Sequence, residues 1–515
     1  MRIGTNVAAI VANNALQKSQ NNLSTSIERL SSGYKINGSK DDAAGCAISE
    51  KMRAQIRGLS QAQNNTADGV SVLNTAEGAI TEIQSMLTRL KELSVQAAND
   101  VNSDDEREAI QKEIEQINNE IDRISDQTEF NTQSLINGNL SRRVYSDLQG
   151  VNQLSVSDSY TAGVYGITVT EDARQAIAVG AGSITMSSTA SITEEQAGAI
   201  NINGYKISIS EGDTLDKVMG KIIDGVNITG GSAFTVKDLN NDTVANGTDY
   251  AGYVPTADYA GSTLVIMTNQ YGSDQKMNIT CDNAELADIL GIPQAATQDG
   301  IYVEGSDVKA EIATGDDGKR IGFADSAILS TKGTVITVTD VNNKEFSMDV
   351  PGNAAGTVFD DSNNDGQSAA GAGTARTISQ EVTDVGTMSI HVGANQDQVI
   401  VIDIPAITTY SLGTEHMNVM TQYTASRAIS TVDEAINKTN KIRSRIGAYE
   451  NRFDHTTNNL EVSSENLTKS LSTMIDTDMS EEMTTYTSET VLTQAATSIL
   501  AQTNERPSQV LQLLQ

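Results

Sequence analysis

Proline is scarce in this chain, and its placement decides what the chain can build. The five prolines stand at positions 255, 293, 351, 405 and 507. Inside a helix, proline removes a donor and clashes with the preceding turn. The stretch before 255 and the stretch between 405 and 507 are free of it. From Thr414 onward the only glycine is Gly447. Both flanks can therefore carry long, uninterrupted helices.

Apolar spacing supports this. Ile110, Ile114, Ile117, Ile121, Ile124 and Thr128 alternate steps of four and three, the seam pattern of a coiled coil, and Ser103 to Glu106 fits a capping box ahead of it. Leu73, Ala76, Ile80, Ile83, Leu87 and Leu90 keep the same alternation, and the segment from Asn99 to Ser103 can turn the chain, so two antiparallel helices are expected. Toward the other end, Val432, Ala435, Ile442, Ile446, Tyr449, Phe453, Leu460, Leu467 and Met474 fall on one register, enough for a helix of about 60 Å.

The extreme ends repeat the theme. Leu16, Leu23, Ile27 and Leu30 stripe the start, and Leu492, Ala496 and Ile499 stripe the finish, followed by Val510, Leu511, Leu513 and Leu514. Ordering a residue costs about 1–2 kcal/mol, which burial must offset. With no local core in view, these stripes are expected to be buried between subunits.

From about Val144 to Val385 the chain turns to Gly, Thr, Ser, Asp and Asn with short alternating runs such as Thr334–Thr339 and Thr263–Thr268. These read as strands joined by tight turns, with one helix over Thr214 to Asp224. The fold class expected is α+β: a long α-helical coiled-coil core from both chain ends with β-rich inserted outer domains.

Composition limits the partners. A formal net charge of -32 repels phosphate, so neither nucleic acid nor anionic lipid is expected as a partner. No apolar run reaches the roughly 20 residues that span a bilayer, and the start has no long apolar segment before a cleavage site, so membrane insertion and general secretory export are not expected. Aromatics are 4% of residues, and up to Glu129 the only one is Tyr34; aliphatic and Ala contacts must pack that flank. Cys46 and Cys281 are too few for a metal cage, sit in dissimilar surroundings, and read as free thiols.

Long stretches at both ends resemble the flagellins, subunits of the bacterial flagellar filament. Near the start these are Leu30-Ser-Ser-Gly-Tyr-Lys-Ile-Asn37, Asp41-Asp-Ala-Ala-Gly45, Ala47 to Gly58, Glu92-Leu-Ser-Val-Gln-Ala-Ala-Asn99 and Gln127-Thr-Glu-Phe-Asn131. Near the finish they are Asp476 to Met483, Gln494 to Asn504 and Val510-Leu-Gln-Leu-Leu514. About half the chain is covered. His391 to Gln396 looks like the point where the outer core resumes, and Ala199-Ile-Asn-Ile-Asn-Gly204 resembles the "IN" motif of flagellins and hook-associated proteins. Cys46 departs from the small or aliphatic residue expected there.

The resemblance implies a homopolymer, a helical filament for swimming motility, secreted and extracellular as part of the bacterial flagellum. Export would be in an unfolded state through the flagellar type III apparatus, with a flagellin export chaperone holding the last helix. Hook-associated junction and cap proteins are implied partners, as is Toll-like receptor 5, for which the resemblance points to Arg89, Leu93 and Glu113. The inner-core polymerisation residues are Leu16, Leu23, Ile27, Leu30, Leu492, Ala496, Ile499, Val510, Leu511 and Leu514. Four domains are expected: an inner-core helical coiled coil of 1–42 with 476–515; an outer-core helical domain with a β-hairpin, 43–175 with 390–475; a variable β-rich domain with the IN-like motif, 176–300; and a second variable β-rich domain, 301–389. The rivals are a hook–filament junction protein and a filament-borne adhesive module.

Catalysis is not expected. His391, His416 and His455 give no zinc-helix spacing, and no phosphate loop or nucleophile elbow is present. Asp361-Ser-Asn-Asn-Asp-Gly366 opens like a calcium loop, but its twelfth position is Ala372 in place of a bidentate carboxylate, so it reads as a solvated turn. No cofactor or metal is expected. Asp478, Glu481 and Glu482 read as acids at a helix start.

Overall fold

A computed structural model describes residues 6–513 except 158–159, 188–189, 237–258, 260, 293–299, 316–317, 341–343, 353–358, 361–368, 371–374 and 384. The calcium-loop lookalike at 361–366 lies outside the described residues. Among the described residues the α-helices are α1 Val7–Ser32, α2 Ala43–Ala97, α3 Asp104–Gln127, α4 Leu215–Ile228, α5 Ala284–Ile289, α6 Thr409–Leu412, α7 Gln422–Ile475 and α8 Met479–Leu513. The chain divides into two compact units. One comprises Met1–Val70, Ile390–Ile400 and Asn451–Gln515; the other comprises Ser71–Ser389 and Val401–Glu450.

In the first unit α1 and α8 run antiparallel. Asn6 caps α1 by accepting from the Ala9 N–H, and Gly33, at φ 78°, closes it with an N–H to the Arg29 carbonyl. Beyond that cap, Lys35 N–H donates to the Ile475 carbonyl at 2.6 Å and Thr477 N–H to the Gly33 carbonyl at 2.9 Å. These bonds bring the two helices into one register. Asp478 accepts from the amides of Ser480 and Glu481, so of the three acids at this start it is Asp478 that caps α8. Elsewhere in the unit, Leu59 and Ala62 of α2 pack with Leu460 of α7. Gly58 and Gly69 permit that closeness: a Cβ there would stand 3.0 Å from Ala394 Cβ and from the Phe453 ring, respectively.

In the second unit the stripe from Leu73 to Leu90 is wholly buried, as the spacing predicts. The expected turn ends α2, and the capping box at Ser103 and Glu106 starts α3. Arg107 reaches back to the carbonyls of Ala97 and Asn99, satisfying the open end of α2. The buried line on α3 differs from the expected seam. It runs Arg107, Ile110, Ile114, Asn118, Ile121 and Ser125, leaving Ile117 and Ile124 half-buried. A straight helix at 3.6 residues per turn drifts off a 3.5-residue repeat, and α3 follows the straight period.

The β-rich part forms two lobes, each with its own core. In one, strands 198–202 and 205–209 form a hairpin around Asn203 and Gly204, both at positive φ, and their sheet packs with α4. In the other, strand 163–171 lies between 309–312 and 376–382, while strand 152–156 pairs with 345–349. Tyr160, Tyr165, Phe323 and Phe346 cluster at its centre, edge-to-face except where Tyr165 stacks on Phe346. A boundary at 175 therefore cuts this core, because residues 144–175 complete the lobe of 305–382 rather than the helical part. The first lobe is an insertion within the second. It leaves and returns where Arg174 and Ser306 exchange backbone hydrogen bonds of 2.7 and 3.1 Å, and the pair enters and leaves the helical part where Arg143 N–H meets the Val385 carbonyl at 2.9 Å. Asp307 fastens the lobes by accepting from Ser273 and from the Gly333 amide at 2.8 Å. Cys46 is half-buried, Cys281 is buried, and both are free.

Candidate assembly surface

The α1–α8 pair is joined by small and polar groups, which leaves large apolar side chains outside. The fully buried residues of α1 are Ser19 and Ser26, whose size lets the backbones approach. Ser19 Oγ donates to Glu489 Oε2 at 2.5 Å, and Asn22 donates to Glu489 Oε1 at 2.9 Å. Asn6 reaches the Thr503 carbonyl at 3.0 Å, and Arg29 stands 3.6 Å from Glu482.

Against that seam, Leu16, Leu23, Leu30 and Ala496 are only half-buried. Ile27, Leu492 and Ile499 are 50%, 52% and 55% exposed. Val510 and Leu511 continue α8, and Leu514 lies outside the described residues. Val7, Ile10 and Val11, and on α8 Met479, Met483 and Val491, are also exposed. Sequence reading passed over these, although the four-residue steps from Val7 to Val11 and from Met479 to Met483 carried the signal. Such a run of uncovered apolar side chains on paired helices is the kind of surface that protein–protein contacts cover.

The carboxyl of Glu489 is held below its usual range by the hydrogen bonds from Ser19 and Asn22. A group whose folded pKa is depressed contributes stability above its unfolded value and loses it as pH falls through the folded one. With the unfolded value about 4.3, pairing of α1 with α8 keeps this contribution at neutral pH and weakens below about pH 4. Amide hydrogen exchange in α1, corrected for intrinsic rates, should accelerate on acidification, and Glu489→Gln should flatten that dependence. An unchanged pH response in the variant would remove Glu489 from the account.

The receptor candidates divide. Arg89 donates through Nε and Nη2 to Glu113 Oε1 at 3.0 and 2.8 Å and through Nη1 to Glu92 at 3.1 Å, and both members of the Arg89–Glu113 pair face solvent. Leu93, expected to fill a partner's pocket, is instead 1% exposed. It belongs to the inward stripe of α2, and no partner reaches it while the helices stay packed.

Comparison with known proteins adds family membership. The model for the bacterial flagellin N-terminal helical region matches residues 3–141, and that for the C-terminal helical region matches residues 429–514. Flagellin of Salmonella typhimurium is 31% identical over 537 residues, covering 99% of each chain. Polar flagellin A of Vibrio parahaemolyticus is 29% identical over 515 residues, covering 100% of this chain and 99% of its own. Flagellin of Clostridium tyrobutyricum is 28% identical, over 96% of this chain and 98% of its own.

Proposed function

We infer that this chain, which belongs to the bacterial flagellin family and is thus a structural subunit of the flagellar filament rather than an enzyme, polymerises through the exposed apolar faces of α1 and α8. The observation that carries the reading is the row of uncovered Ile27, Leu492 and Ile499 beside a seam of small polar groups. Identical subunits meeting head to tail with such faces generate an open helical polymer. In this reading Leu16, Leu23, Leu30 and Ala496 complete the same face, and Val510, Leu511 and Leu514 remain candidates for the same contact. The inner core is 1–42 with 476–515, the helical outer core spans 43–143 with 390–475, and the two β-rich lobes form the outer surface.

Burying an exposed Leu or Ile is worth about 1.5–3 kcal/mol. Leu492→Asp combined with Ile499→Asp should therefore raise the critical concentration for assembly by about tenfold or more per site, read by sedimentation and electron microscopy. A critical concentration equal to that of the parent would place the contact elsewhere.

The remaining parts of the reading are expectations that family membership supports. The subunit leaves the cell unfolded through the type III apparatus, its last helix held by an export chaperone in a helix-in-groove mode. It joins junction and cap proteins at the filament's ends and stays extracellular. Toll-like receptor 5 would meet Arg89 and Glu113, with the planar guanidinium as anchor.

A further inference from the structure

Asparagine is followed by glycine at positions 37, 137, 203 and 246, and the last of these pairs lies outside the described residues. Glycine has no Cβ to shield its own backbone nitrogen, so in such a pair that nitrogen reaches the asparagine Cγ with little hindrance. Whether it does so in a folded chain depends on what the two amides already hold. An N–H engaged by an acceptor must first be released, and each bond to be released slows the attack.

The three described pairs differ in this respect. At Asn203 both amides are engaged: Gly204 N–H donates to Asn201 Oδ1 at 2.8 Å, and the Asn203 carboxamide donates to the Lys276 carbonyl at 3.2 Å and accepts from Asn278 N–H at 2.8 Å. Asn37 is held in the same way. Gly38 N–H donates to Asp41 Oδ2 at 3.2 Å, and the carboxamide donates to the Tyr34 carbonyl at 3.2 Å. At Asn137, neither Nδ2 nor the Gly138 N–H has a hydrogen-bond partner among the described residues. Oδ1 alone is engaged, accepting from Asn139 N–H at 3.1 Å. That bond folds the carboxamide back along the chain past Gly138, and it puts a donor where negative charge gathers when Cγ is attacked. Asn137 is half-buried and Asn139 exposed, so water reaches the loop.

We propose that Asn137 is a site of spontaneous modification, converted through a succinimide to an aspartyl or isoaspartyl residue. The Gly138 nitrogen gives its proton to water and attacks Cγ. The N–Cγ bond forms, the Cγ–Nδ2 bond breaks, and Nδ2 leaves as ammonia. One water then opens the ring at either carbonyl, so one water is consumed, one ammonia is released, and no atom changes oxidation state. The product carries a new carboxylate, and its isoaspartyl form lengthens the main chain by one carbon. The extra carbon falls between the Ile136 and Leu140 carbonyls, which accept from Ile407 and Ile404 N–H at 2.8 and 3.2 Å. Gly138 lies close against Ala406 between those bonds, so the lengthened chain loses their common register.

The test ages the full-length monomer at mildly alkaline pH, folded and in denaturant, and follows the three pairs by peptide mass mapping with isoaspartyl methyltransferase labelling. Each protected pair must release two hydrogen bonds, so in the folded chain Asn137 should react about tenfold or more faster than Asn37 and Asn203. In denaturant the three rates should converge. Asn137→Gln, which would need a six-membered ring, should abolish labelling at this loop. The proposal is overturned if Asn37 or Asn203 reacts as fast as Asn137 in the folded chain, or if folding slows all three alike. It is equally overturned if the Asn137→Gln loop is labelled like the parent's.

Discussion

Deleting residues 496–515 should abolish filament growth and leave the second unit folded. The deletion removes Ala496, the half-exposed Ile499 and the stretch containing Val510, Leu511 and Leu514. It also removes Thr503, whose carbonyl receives Asn6 and ties the start of α1 to α8. Each large apolar side chain lost withdraws about 1.5–3 kcal/mol of intersubunit burial, and the same loss recurs at every subunit of the polymer. The second unit has separate cores, around Leu73 to Leu90 and in the two lobes, and shares none of the deleted residues. Electron microscopy should show no filaments at concentrations where the parent assembles, with near-ultraviolet circular dichroism of the lobes unaltered. Filaments from the truncated chain would refute the assignment of the assembly surface.

The largest stability effect is expected at Asp403. Its side chain is 0% exposed, pairs with Arg445 Nη1 at 3.3 Å and accepts from the Arg142 N–H at 3.3 Å. Removing one partner of a buried ion pair strands the other charge, at a cost of about 3–5 kcal/mol. Arg445→Met should therefore lower the unfolding free energy of the monomer by about that amount, against a typical total of about 5–15 kcal/mol. Replacing both partners by apolar residues, Asp403→Leu with Arg445→Met, should recover part of the loss, since Leu leaves the Arg142 N–H without its acceptor. Denaturant titration separates the cases: a single variant costing less than about 1 kcal/mol would mean that the pair behaves like a surface one.

How much of this was legible depended on sequence separation. Helices declare themselves locally, so the stripe from Leu73 to Leu90, the capping box at Ser103 and the absence of proline were enough to place α2 and α3. The helix after Thr214 was readable for the same reason. Partners remote in sequence were not. Strand 163–171 pairs with 376–382, about two hundred positions away, so nothing near residue 175 signals which core the segment joins. Leu93 shows a second limit: resemblance placed it at a receptor contact, while burial against neighbouring helices turned it inward. At the assembly surface the stripes were visible in sequence. The seam of Ser19, Ser26 and Glu489 was not, because it consists of residue types that pattern reading assigns to solvent.

The doorway formed by Arg174 and Ser306 has an evolutionary and practical reach. Entry and exit of the inner lobe are held side by side by two backbone bonds, and the paired lobes enter and leave the helical part beside Arg143 and Val385 in the same way. Each block can thus be lifted out, exchanged or replaced by foreign cargo at two cuts that lie side by side, without re-routing the chain outside it. Recombination can trade a whole lobe while the residues on either side of its doorway stay untouched.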